Sequence, residues 1–334
     1  MSNKPLLVIS LDFELYWGMF DKVTLEQYGE NIRGVHTAIP EILTLFKENG
    51  IHTTWATVGM LMQENKSELE ALLPNPELRP KYADMSVSSY AHIQNTSIGE
   101  HASGDPYHYG AHLVEKIIET PFQELASHTF SHYYCLDGGE NGEAIFAADC
   151  DAFARAAFKF NRPITSIVFP RNQANAEALN VCKAQGFTSY RGTPHHFLYT
   201  GKKEKEQTSP LLRMLRLLDA YINLSGHHTF TLESAKGSNL TNIAGSRFLR
   251  PYSKTLRLLE PLRIARIKNS MTHAAKNNQV FHLWWHPHNF GINRKENLAA
   301  LLELIAHYKK LHDEYGMESA TMQEAAIRAN GSHA

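Results

Sequence analysis

The stretch Leu6-Leu7-Val8-Ile9-Ser10-Leu11-Asp12-Phe13-Glu14 decides the fold. Its apolar run has the length of a strand and stops on acidic residues. It therefore reads as a buried first strand and not as a secretory leader, which needs a longer apolar core and a small-residue cleavage site. Working outward from it, short apolar runs alternate with helical patterns. Further strands are expected at 53–58, 123–126, 166–169, 189–190 and 280–285, and helices at 38–49, 107–119, 144–159, 174–185 and 296–312. In the first of these helices Ile39, Ile42, Leu43 and Phe46 recur at helical spacing, and Asn49-Gly50 marks its end. Repeated strand-then-helix units predict a parallel sheet, closed as a barrel or doubly wound.

Across 334 residues, 43% are hydrophobic and 20% charged, which supplies a sizeable core and excludes a disordered chain. The 33 Lys and Arg balance 34 Asp and Glu, so nothing in the overall charge draws the protein to nucleic acid. No run reaches the roughly 18 apolar residues of a transmembrane segment. Cys135, Cys150 and Cys182 lack metal-knuckle spacing and cannot all pair, which points to reduced thiols and a cytoplasmic location. Two stretches interrupt the strand–helix rhythm: 62–106, with Pro74, Pro76, Pro80 and Pro106, and 200–270, which opens on Lys202-Lys203-Glu204-Lys205. One domain spanning 1–334 with these two insertions is the expected organisation.

The one compositional excess is 19 His. At that abundance about one His-x-x-x-His pair arises by chance, yet three occur: His108/His112, His128/His132 and His282/His286. Context separates them. Ser127-His128-Thr129-Phe130-Ser131-His132 follows the expected strand 123–126, at the rim where parallel α/β proteins build their sites. Two imidazoles one turn apart can hold a divalent ion. His108 and His112 fall in an expected helix whose Leu113 and Ile117 face the core, and read as surface or packing residues. Along a strand, His282 and His286 lie roughly 13 Å apart, so His286 alone reaches the rim. Asp12 and Glu14 end the first strand at the same rim, on one side by alternation. Two imidazoles, a carboxylate ligand and a second carboxylate to deprotonate a water make a hydrolytic metal site. Helix capping or lysine pairing is the other use open to these two acids.

Taken together, Leu11-Asp12-Phe13-Glu14, Ser127-His128-Thr129-Phe130-Ser131-His132, Phe169-Pro170-Arg171-Asn172 and Leu283-Trp284-Trp285-His286-Pro287 resemble the polysaccharide deacetylase family (NodB homology domain, carbohydrate esterase family four). The blocks fall in that family's order, from residue 6 to about 290. The resemblance implies an α/β fold, a distorted (β/α) barrel of the polysaccharide deacetylase type, here with two long rim insertions. It also implies metal-dependent removal of acyl groups from sugars. His128 and His132 match the metal histidines, for one divalent ion; zinc suits imidazole and carboxylate ligands. The family's usual adjacent aspartates are replaced by Asp12-Phe13-Glu14, similar to branches with an acid-x-acid motif. That makes Asp12 the general base and Glu14 the third ligand. Arg171 falls near the family's arginine that orients the base, in reversed Pro170-Arg171 order. His286 matches the histidine that protonates the leaving nitrogen. Asp219, after Leu217-Leu218, matches the acid that tunes that histidine and keeps it cationic, without the family's following tryptophan. A backbone N–H near Tyr133 is expected to hold the oxyanion, and Asn172 and Trp285 to touch substrate.

The expected enzyme is a metal-dependent carbohydrate deacetylase acting in the cytoplasm on an acylated sugar of a glycan or surface-polysaccharide precursor, nucleotide- or lipid-linked. Two other classes stay open: a metal-dependent amidase or deformylase on a non-sugar C–N substrate, and a non-catalytic carbohydrate-binding relative silenced by the Asp12/Glu14 departure. His-Glu-x-x-His does not occur, which argues against a metalloprotease. Residues 247–268 carry Arg247, Arg250, Lys254, Arg257, Arg263, Arg266 and Lys268 against the single acid Glu260. One reading is a solvated basic face. The other is that Arg257, Arg263 and Arg266 grip a diphosphate, with peripheral membrane contact if the carrier is a lipid. Pro261 is expected to break or kink any helix there.

Overall fold

The computed structural model describes residues 4–139, 141–194, 196–199, 210–237 and 239–331; the stretch 202–205 that opens the second insertion lies outside these. Among the described residues nine strands make one sheet: β1 (Leu6–Phe13), β2 (Thr53–Thr57), β3 (Gln123–Ser127), β4 (Ser166–Val168), β5 (Ser189–Arg191), β6 (Thr241–Asn242), β7 (Arg247–Phe248), β8 (Val280–Trp285) and β9 (Glu318–Ala320). They are hydrogen-bonded in the order β6-β5-β4-β3-β2-β1-β8-β7, with β9 beside the start of β1, and each of these pairs is parallel. The sheet curls into a distorted (β/α) barrel with the helices outside it. No helix among the described residues is long and apolar enough to cross a membrane.

β1 lies in the middle because it is apolar on both faces, the pattern of a parallel strand covered on each side. Leu7, Ile9, Leu11 and Phe13 pack into the helix layer, while Leu6 and Val8 face the interior with Ala56, Val168, Val280 and Ala320. Farther along the axis the interior turns polar. Ser10, Asp12, Arg191 and His282 are all buried there, at the end where apolar packing stops.

The helix Leu25–Asn49 starts well before the expected 38, because Pro40 inside it obscures the periodicity of its first turns. A capping box of Thr24 and Gln27 opens it, and Gly50, at φ 62, closes it in the left-handed conformation. Ile32, Val35, Ile39, Ile42 and Phe46 form its buried stripe; each such side chain contributes roughly 1.5–3 kcal/mol of burial. Pro261 does not break the helix Glu260–Lys276 but starts it, since a first-turn residue needs no N–H partner.

Two features position the site. The 62–106 excursion folds over the histidine loop: Ser89 Oγ donates to the Ser131 carbonyl at 2.7 Å, and Tyr82 Oη accepts the Tyr134 N–H at 3.0 Å. The sheet path is also open, with β6 and β7 as its two ends. Residues 243–246 cross the gap, with Ile243 N–H bonded to Tyr190 O, Gly245 N–H to Gly192 O and Ser246 N–H to His282 O.

Candidate active site

Glu14 follows β1 directly and is buried. Its Oε2 lies 3.5 Å from His128 Nε2 and 3.2 Å from His132 Nε2. Its Oε1 lies 3.2 Å from His288 Nε2 and 3.8 Å from His286 Nε2. A Cβ on Gly18 would stand 2.1 Å from the Glu14 carboxyl carbon, so glycine there leaves the carboxylate its place. Burial acts to raise the Glu14 carboxyl, but His286 and the hydrogen bonds of His128, His132 and His288 outweigh it and hold it well below the usual range. His128 Nδ1 donates to the Val168 carbonyl at 2.8 Å, which fixes the ring with Nε2 toward Glu14. One oxygen and two imidazole nitrogens are the donor set of a hydrolytic zinc site, and the three residues present, Glu14, His128 and His132, fit such an ion.

The histidine loop is strained where it turns. Thr129 and His132 have φ of 64° and 57°, a conformation that costs the β-branched Thr129 about 1–3 kcal/mol and that histidine adopts more readily. Asp149 holds the turn by accepting from Phe130 N–H at 2.7 Å, Ser131 N–H at 3.1 Å and Ser131 Oγ at 2.5 Å. Asp149→Ala would orphan three buried donors, each costing about 1–3 kcal/mol. A loss of about 3–5 kcal/mol in urea unfolding is therefore expected; a loss under about 1 kcal/mol would show that other contacts hold the strain. Burial pushes the Asp149 carboxyl from 3.8 up to about 6. The folded state thus binds this proton the more tightly, so its contribution to stability falls as pH rises from about 4 to about 6 and then levels off. The alanine variant should lack that slope.

Asp12 shares the inner face with Glu14 and is clamped by Arg191 at the end of β5, Nη1 to Oδ1 and Nη2 to Oδ2, both 2.7 Å. Burial acts to raise Asp12, yet Arg191, His128 and His286 outweigh it and hold the carboxyl below its ordinary value. The arginine that orients Asp12 is therefore Arg191 and not Arg171. Arg171 and Asn172 both have φ of 54°, which turns the chain after β4 and sends Arg171 to Asp21, with its guanidinium 4.0 Å above the Tyr134 ring. Asn172 Oδ1 accepts from Arg191 Nη2 at 3.4 Å. Arg191 was legible by the argument applied to Asp12, as a charged residue ending an interior strand.

His286 Nε2 lies 3.7 Å from Asp12 Oδ2. Burial pushes this imidazole down to about 4 against the pull of Glu14 and Asp12, so it is neutral near pH 7, not held cationic. Nor is Asp219 its partner. That carboxylate is engaged by Arg247, by Tyr199 Oη at 2.5 Å and by Ser225 Oγ at 2.6 Å, and these hold it at about 2 despite burial. The N–H of Tyr133 goes to Thr129 Oγ1 at 2.7 Å and that of Tyr134 to Tyr82, so neither is open to an oxyanion. Trp285 packs outward against Phe46 and Phe290. Its neighbour Trp284 faces inward, with the Arg191 guanidinium 4.2 Å above its ring.

His288 was not anticipated, although His286-Pro287-His288 is a visible signal. Burial, and Glu14 beside it, push Tyr28 up to about 12, so its hydroxyl stays protonated and donates to His288 Nδ1 at 2.9 Å; His288 Nε2–H then donates to Glu14. The other histidines have packing partners. His108 meets Asp105 at 2.7 Å and His92 at 3.0 Å, His112 stacks on His36, and His282 bonds the Ile243 carbonyl and Ser10 Oγ, both at 2.8 Å. In the basic segment Arg257 is exposed, whereas Arg263 and Arg266 are buried and line a cavity of about 280 Å³ that also borders His286.

No protein-family model and no curated protein matches the chain. Solved structures do. A Mycobacterium smegmatis protein assigned to the polysaccharide deacetylases superposes with a TM-score of 0.61 at 13% identity, over 100% of this chain and 93% of its own. A Pseudomonas aeruginosa PAO1 protein of the same assignment gives 0.53 at 10% identity, over 98% and 91%. An allantoinase gives 0.51 at 11% identity, again over 98% and 91%. At these identities the likeness is one of fold, and the chain has the barrel of the polysaccharide deacetylase type.

Proposed function

We propose that a chain with this barrel and this rim is a metal-dependent hydrolase that removes an N-acyl group, an acetyl above all, from a sugar in an intracellular glycan or surface-polysaccharide precursor. The observation that carries the reading is the convergence of Glu14, His128 and His132, with Asp12 and His286 beside them. The shared fold supports it, and the three unpaired thiols suit a reducing compartment. A divalent ion bound by Glu14, His128 and His132 would polarise the acyl oxygen and acidify a water. The side chains supply the rest. His288 occupies Oε1 of Glu14 and so leaves Oε2 to the histidines. Asp12, oriented by Arg191, takes a proton from the attacking water. His286 Nε2, 3.7 Å from Asp12 Oδ2, is the next acceptor, and a neutral imidazole can receive that proton before passing it to the leaving nitrogen.

The test is acetate release by the zinc-loaded chain from N-acetylated sugars, sugar nucleotides and lipid-linked sugars. At least one should be turned over, and His286→Ala should lower kcat by about 10²–10⁴-fold with metal content unchanged. The fold shared with an allantoinase favours a second reading, hydrolysis of a non-sugar amide. Ring opening of allantoin with no acetate from any sugar would decide for it.

A further inference from the structure

The cavity beside His286 is lined by Arg171, Arg216, Arg247, Arg250, Arg263 and Arg266, and by no acid among the described residues. Three carboxylates answer these six cations: Asp21 pairs Arg171, Glu260 pairs Arg263, and Asp219 serves Arg247 and lies 3.7 Å from Arg266. Arg216 donates to the Leu198 carbonyl at 2.5 Å and meets no carboxylate among the described residues. The carbonyl of Arg250 accepts from Arg263 Nη1 at 2.6 Å, while its side chain borders the cavity with no carboxylate partner among the described residues. Burial pushes its guanidinium below the ordinary value, Arg263 adds to this, and Tyr221 and Tyr199 nearby offset it only in part. The Nε–H groups of Arg247 and Arg266 are likewise buried without an acceptor.

The segments that border this cavity expose apolar side chains. The helix Pro210–Asp219, which contributes Arg216, buries only Asp219 and turns Leu211, Met214 and Leu218 to solvent along one stripe, Leu211 60% exposed. Ile222 and Leu224 continue that surface, and Leu258 and Leu262 flank the start of the helix that contributes Arg263, Leu258 being 86% exposed. Half or more of the exposed large apolar side chains thus lie on two segments that border one cationic cavity. Apolar residues at this exposure mark a docking surface, and leucines beside exposed arginines have the chemistry of one that enters a lipid headgroup layer.

We propose that this apolar surface seats on a membrane and that the arginine cavity takes the diphosphate of a lipid-linked sugar, presenting the sugar to His286. The substrate class rests on the hydrolase reading; the binding does not. Trp284 and Phe248, with ring centroids 4.7 Å apart, line the same cavity and form the aromatic wall between its arginines and His286. Guanidinium forks match phosphoryl oxygens bidentately, and a diphosphate supplies the charge that Arg250 and Arg216 lack.

The experiment is cosedimentation of the full chain with phosphatidylcholine vesicles, with and without undecaprenyl diphosphate, alongside calorimetric titration with UDP-N-acetylglucosamine. The wild type should bind the diphosphate-bearing vesicles more tightly than the plain ones. Arg250→Gln should remove about tenfold of that difference, the worth of one charge-assisted hydrogen bond, and Arg216→Gln should do the same. Leu258→Gln/Leu262→Gln, at exposed positions, should weaken binding to both vesicles by about tenfold or more. Equal binding to both vesicles, no effect of either arginine change, or UDP-N-acetylglucosamine binding as tightly as the lipid would overturn the proposal. Because no readout here is acetate, lipid binding without turnover of any sugar sinks the hydrolase reading alone. Acetate release without lipid binding sinks only the membrane proposal.

Discussion

Replacing both His128 and His132 by alanine is expected to strip the metal while leaving the fold intact. Dialysed wild type should hold about one zinc per chain by elemental analysis, the stoichiometry of a single three-ligand site. The double variant should fall to background, a larger loss than the roughly 10–100-fold that removing a supporting hydrogen-bond partner costs a metal site. Its fold should survive, with thermal unfolding lowered by the loss of the bound ion and of the buried His128–Val168 hydrogen bond. Glu14 also faces His286 and His288, so His288→Ala separates the alternatives. Weakened but stoichiometric binding assigns it the supporting role, and retention of full metal by the His128/His132 double variant would refute the ligand set.

The second large effect concerns Arg191. Arg191→Leu would leave the Asp12 carboxylate buried beside no formal cation, a loss of about 3–5 kcal/mol. Because Arg191 and its neighbours lower the folded-state value of Asp12, the stability from this pair is fully present above the ordinary 3.8 and is lost as pH falls through the folded value. The gap between wild type and variant in guanidinium unfolding should therefore be constant at neutral pH and close in acid. Adding Asp12→Leu to the variant should recover part of the loss. A gap independent of pH, with no recovery in the double variant, would show that Arg191 acts through packing on Trp284 and not through charge.

The parts of this fold that were legible in sequence are those with long runs. β1 and β8 are eight and six residues of buried apolar character, and both were anticipated nearly to their ends. β6 and β7 are two residues each, too short to carry a period, and β9 is three; none was foreseen. The convergence of Asp12, Glu14, His128, His132 and His286 at one rim followed from strand ends in a parallel sheet. The errors came where local order was trusted over direction. Trp285 is expected from sequence to touch substrate, whereas alternation from His286 puts Trp284 on the inner face. Arg171 follows from the family resemblance of Phe169-Pro170-Arg171-Asn172, whereas Arg191 is the arginine that ends a strand. Asp219 and the arginines of 247–268 depended on tertiary partners that no spacing reveals.

The strap of residues 243–246 has a mechanical consequence. In a closed barrel, strand number and stagger set the radius; here no strand ladder joins the two edges, and the strap stitches the side that carries Arg191 to the side that carries His286. Any spreading of the seam moves the clamp on Asp12 away from the imidazole it faces. Gly245 sits at that stitch, where a Cβ would stand 3.0 Å from the Trp284 ring. The alignment of Asp12 with His286 is thus delegated to the four residues of the strap, and their stiffness sets how closely the two side chains face each other.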